Sequence, residues 1–115
     1  MFINLSAANP AIEAKAKSGD MTAQYDLGQL YWYGEGVKRD ASKAVNWFLK
    51  SAAQGHSKAQ YSLAAAYESG DGIDQSVKEA AKWYRKAAEK GDMDAQTQVG
   101  FFYAKGKGLV KNEGQ

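Results

Sequence analysis

Ala23, Leu27 and Tyr31 stand four residues apart, with Gly28 beside them, the spacing of one face of an α-helix. The same face returns further along as Ala59, Leu63, Ala64 and Tyr67. A second kind of face lies between them: Ala44, Trp47, Phe48 and Ser51 come together at helical spacing, and Ala80, Trp83, Tyr84 and Ala87 repeat them. The pattern predicts helices over 21–33, 41–53, 57–69, 77–89 and 93–105. A shorter helix is expected over 11–18, started by Pro10.

These faces recur at a fixed interval of 36 residues. At that offset Gly19 falls on Gly55 and Gly91, Gln24 on Gln60 and Gln96, Tyr31 on Tyr67 and Tyr103, Gly34 on Gly70 and Gly106, and Gly36 on Gly72 and Gly108. Ala44 meets Ala80, Trp47 meets Trp83, and Lys50 meets Lys86. Units 19–54 and 55–90 are identical at 12 of 36 positions with no insertion. The chain therefore divides into a segment 1–18 with a partial helix, two full units, and a partial third over 91–115. The third ends before its second helix, which predicts a fragment of a longer array or an end that packs on something else.

The punctuation agrees with the periodicity. Asp20 and Asp40 are placed to cap helices, Ser57 with Gln60 and Ser76 with Glu79 fit a capping box, and Gly55 and Gly91 close the preceding helices. Gly34-Glu35-Gly36 raises a nucleotide-binding alternative, but that fingerprint needs a preceding strand and a third glycine, where Arg39 and Gln75 stand instead. The pair reads as a turn: the first glycine stops the helix in a left-handed state and the second lets the chain pass close to a neighbour. Val37, Ile73 and Leu109 then fill the gap between helices.

The stretch AQYDLGQLYWYGEGVKRDASKAVNWFLKSAAQG resembles a Sel1-like repeat, a branch of the tetratricopeptide-repeat superfamily. AQYSLAAAYESGDGIDQSVKEAAKWYRKAAEKG is a second match and AQTQVGFFYAKGKGLVKN a partial third. By position, the resemblance makes framework residues of Ala23, Leu27, Gly28, Tyr31, Gly34, Gly36, Val37, Asp40, Ala44, Trp47, Phe48, Ala52 and Gly55. It implies an all-α fold, an α/α superhelix of antiparallel helix pairs with a concave surface. It also implies a scaffold or adaptor that binds a protein or peptide segment. Bacterial relatives with cysteine-linked repeats have been described as β-lactamase-like, which makes a hydrolase the alternative, but this chain has no cysteine. A purely architectural segment is a third reading.

Composition narrows the chemistry. Fifteen basic and 13 acidic residues are interspersed and leave a formal charge of +2. No basic stripe steers the chain toward nucleic acid, and no segment is fit for direct membrane insertion. His56, the single histidine, reads as a cap or turn residue rather than a catalytic base, since no nucleophile and acid converge on it. Glu68, Asp71 and Asp74 lack calcium-loop spacing and read as a solvated acidic loop, with Lys105, Lys107 and Lys111 as its basic counterpart. No catalytic set, cofactor or metal is expected. The start lacks a convincing leader, so the cytoplasm is the default compartment, with a periplasmic or secreted location if a leader was removed.

In arrays of this type the first helix of each pair lines the inner surface. The partner-binding candidates are therefore its residues off the core face: Thr22, Tyr25, Gln29, Trp32 and Tyr33, then Lys58, Tyr61, Ala65, Glu68 and Ser69, then Asp94, Phe101, Ala104 and Lys105. Trp32 is aligned with Glu68 and Ala104, so the repeat does not require an aromatic there. It is either an anchor or packed on segment 11–18 or further repeats. Tyr31, Trp47, Tyr67, Trp83 and Tyr103 read as core. The incomplete third unit is a candidate homo-oligomer contact.

Overall fold

A computed structural model of the chain describes residues 9–105. Six helices follow one another: α1 (Pro10–Lys17), α2 (Met21–Tyr33), α3 (Ala41–Ala53), α4 (Ser57–Ser69), α5 (Val77–Glu89) and α6 (Met93–Lys105). Each packs on the next in sequence, which makes a stack of helix pairs with extents of 61 × 23 × 18 Å. Gly106, Lys107, Gly108, Leu109 and Lys111 lie outside the described residues.

Side-chain caps set the helix starts. The Asp20 carboxylate accepts from the Ala23 N–H at 2.8 Å, Asp40 from Lys43 at 3.0 Å and Ser76 from Glu79 at 3.1 Å. Asp92 accepts from Ala95 at 2.8 Å. Each satisfies an amide that the first helical turn leaves without a partner. The expected Ser57 cap is corrected: His56 is the N-cap, its Nδ1 accepting from Ala59 N–H at 3.2 Å, and Ser57 is the first helical residue.

The two turn glycines differ in their reasons. Gly34 and Gly70 take left-handed backbone, as expected, and end α2 and α4. A β-carbon on Gly72 would lie 2.5 Å from the Ala41 carbonyl oxygen, so α3 leaves no room for a side chain. Gly36 has no such neighbour and meets only the demand for positive φ, at 76°, which corrects the expectation of a close approach in both turns.

Leu27, Val45, Phe48 and Leu63 are fully buried among alanines, which let the helices approach closely. α4 passes the core on: Leu63 belongs to the first cluster, while its neighbour Ala64 packs in the second with Ala80, Tyr84, Ala87, Ala95 and Phe102. Of the aromatics read as core, Tyr31 is buried, but Trp47, Tyr67, Trp83 and Tyr103 are only half-buried. The most deeply buried aromatics of α3 and α5 are Phe48 and Tyr84. The Tyr84 hydroxyl donates to Glu68 at 2.9 Å, and burial first, then Glu68, raises its pKa.

A glutamine ladder ties the pairs together. The side-chain amide of Gln24 donates to the Ala16 carbonyl at 3.1 Å, Gln60 to Ala52 at 3.2 Å and Gln96 to Ala88 at 3.2 Å. Each amide reaches back eight residues to a carbonyl in the last turn of the preceding helix, where intrahelical partners have run out. Gln54 completes the first rung by donating to Gly19 O at 2.9 Å and to Gln24 Oε1 at 2.8 Å. Position 90 is lysine, and the buried Gln60 Oε1 has no partner among the described residues.

Candidate functional site

The even-numbered helices share one face, and a groove of about 210 Å³ runs across it. α2 supplies Tyr25, Gln29 and Tyr33, whose four-residue spacing puts them in one row. α4 supplies Lys58, Tyr61 and Ser62, and the start of α6 supplies Asp92 and Asp94. Tyr25 is held from behind by Phe48, with ring centroids 6.0 Å apart, and stacks on His56 at 4.9 Å. Tyr61 meets Tyr84 edge-on at 5.3 Å. Burial is the main cause that raises the pKa of Tyr25 and Tyr61, so these two hydroxyls are neutral donors. Tyr33 is held least, with 64% of its surface exposed.

The groove thus brings together six residues singled out in the sequence: Tyr25, Gln29, Tyr33, Lys58, Tyr61 and Asp94. Ser62 and Asp92 join them. Ser62 follows Lys58 by one helical turn, a signal available from spacing, whereas Asp92 enters only because the fold brings the N-cap of α6 to the same groove as Lys58 and Tyr61. Thr22 and Phe101 are exposed on α2 and α6 but do not line the groove. Glu68 is engaged by Tyr84. The side chain of Lys105 lies outside the described residues.

Trp32 turns away from this row. Its ring packs 6.0 Å from Phe48, and the Arg39 guanidinium lies 5.3 Å over it. Arg39 also donates to the Trp32 carbonyl at 2.8 Å and pairs with Asp71 at 2.6 Å. Of the two readings open for Trp32, packing is what the structure displays, although against Phe48 and Arg39 rather than α1. The loop read as freely solvated is corrected in the same place: Asp71 ties the turn of one repeat to that of the next.

His56 shows no catalytic geometry. Its Nδ1 is used as a cap acceptor, which requires the neutral ring. Burial lowers its pKa, with Asp26 acting against that shift and Lys58 adding to it. Among the described residues, no group of three or more His, Asp or Glu side chains could hold a metal ion. Nor is any described helix long and apolar enough to cross a membrane.

The Sel1 repeat pattern matches residues 22–56, 57–92 and 94–115, most of the chain. The chain belongs to the Sel1 repeat family. A crystal structure of a Sel1 repeat protein from Oxalobacter formigenes is 43% identical, with a TM-score of 0.80 over 83% of this chain and 39% of that one. The structure of c5321, a protective antigen of uropathogenic Escherichia coli with an SLR fold, is 37% identical. Its TM-score is 0.84 over 87% of this Sel1 chain and 21% of c5321. A putative sel1-like repeat-containing protein, L18, of Acanthamoeba polyphaga mimivirus is 46% identical over 43 residues, which are 37% of this chain and 7% of that protein. This Sel1 chain thus spans less than half the length of each of these relatives.

Proposed function

We propose that this Sel1 repeat chain holds a peptide or protein segment along the face built by α2, α4 and the start of α6. Sel1 and tetratricopeptide-like folds mediate protein–protein interactions in general. The observation that carries the finer reading is the groove itself: two successive repeats and the edge of a third place Tyr25, Tyr33 and Tyr61 around it, with Gln29 and Ser62 between them. Tyrosine offers large contact area and a hydrogen-bonding tip at low entropic cost. An amide and a hydroxyl can meet a segment's backbone groups, since both donate and accept. Capture is non-covalent, and Tyr33 is the anchor because its ring is the most exposed in the row.

A segment selected on the wild-type chain from a displayed peptide library should bind the Gln29→Ala/Tyr33→Ala double variant at least about tenfold more weakly, with helicity unchanged by circular dichroism. Unchanged affinity in the folded double variant would overturn this assignment.

A further inference from the structure

The charges that alternate along the sequence separate by helix. α1, α3 and α5 together carry eight lysines or arginines against three glutamates, while α2, α4 and α6 carry two lysines against three acidic residues. Because odd and even helices alternate along the chain, reading in order mixes the two populations and hides the basic side.

On that side a second groove of about 330 Å³ opens between α1 and α3. Its floor is aromatic, from Tyr31 and Trp47, and Lys17, Lys43, Asn46 and Lys50 stand around it with one carboxylate, Glu13, which pairs with Lys17 at 3.8 Å. The Lys43 ammonium lies 5.4 Å over the Tyr31 ring and Lys50 lies 5.3 Å over Trp47. One repeat on, Lys82 and Lys86 flank Trp83 at 5.3 and 5.7 Å. Among the described residues, Lys43, Lys50 and Lys86 have no carboxylate within 4.0 Å.

We infer that the odd-helix face binds an acidic peptide segment. Its carboxylates engage Lys43 and Lys50 and continue toward Lys82 and Lys86, and an apolar residue between them seats against Tyr31 and Trp47. Lysine is a compact charge on a flexible stem, able to meet carboxylates at varied spacing, whereas arginine is the usual choice for phosphate and nucleic acid. Arg85 is the single arginine among the eight basic residues. A membrane would call for an apolar wedge, but among the described residues the exposed large apolar ones, Met21, Tyr33, Met93 and Phe101, all belong to even helices.

The test uses fluorescence anisotropy with a labelled glutamate-rich peptide carrying one central leucine, at low and at physiological salt. The peptide should bind, more weakly as salt rises. Lys43→Gln/Lys50→Gln should weaken it about tenfold, whereas Lys38→Gln/Lys90→Gln, which removes the same charge from segments between helices, should leave it unchanged. Replacing the leucine by alanine should also weaken it. No binding, equal loss in both double variants, or indifference to the leucine would overturn the proposal. So would tighter binding of a matched single-stranded oligonucleotide or of phosphatidylserine vesicles. If Lys43→Gln/Lys50→Gln lowered the melting temperature and left the affinity unchanged, the lysines would serve only to cover the aromatic rings, and the proposal would fail.

Discussion

His56 occupies the cap position that Asp20 and Asp92 fill in the neighbouring repeats. The substitution keeps an acceptor for the Ala59 amide, but only while Nδ1 is unprotonated. Burial against Tyr25 favours that neutral ring, so the folded pKa lies below the ordinary histidine value of 6.5. The sign follows: the unfolded chain takes up the proton first. The cap's contribution is complete above the unfolded value and is lost as pH falls through the lower folded one. Denaturant titrations between about pH 7 and pH 5 should show stability falling more steeply in the wild type than in His56→Asp, whose carboxylate stays ionised over that window. Parallel slopes for the two proteins would contradict this account of the cap. Sequence placed the helix start at Ser57, where it lies, and left two caps open, Ser57 in a capping box and His56 as a cap or turn residue. The backbone decides for His56, whose Nδ1 accepts from the Ala59 N–H while Ser57 is the first helical residue.

Between elements, the glutamine ladder explains why positions 24, 60 and 96 share a residue that a helix face alone would not require. Periodicity exposed the coincidence but not its use, since the bond crosses a turn to a carbonyl eight residues back. The helix bounds were legible because two independent signals, the 36-residue recurrence and the cap residues, fall at the same places. The incomplete second rung gives a prediction at this scale. Gln54 satisfies Gln24 in the first repeat, whereas Lys90 leaves Gln60 Oε1 bare in the second. Lys90→Gln should restore the missing donor and raise stability by about 1 kcal/mol. Thermal unfolding reads this as a higher midpoint, and a lower midpoint would show that Lys90 contributes more where it stands, over Gly55.

Across the whole molecule, each helix touches its sequence neighbours, so faces rather than pockets are what the stack offers a partner. Two faces emerge with different chemistry: tyrosines, amide and hydroxyl on the even helices, and lysines over aromatic rings on the odd ones. The first was largely readable in advance, because Tyr25, Gln29 and Tyr33 keep helical spacing off the core row. Trp32 was not, because its neighbour Arg39 reaches back across a turn to cover it. The second face was hidden by the alternation of helices. The central claim is that the even face receives the partner segment, and amide shift mapping tests it most directly. An isotope-labelled chain would be titrated with a segment selected on it. The account predicts that the largest shifts fall on Tyr25, Gln29, Tyr33, Lys58 and Tyr61. Shifts confined to α3 and α5, or spread evenly over all six helices, would contradict it.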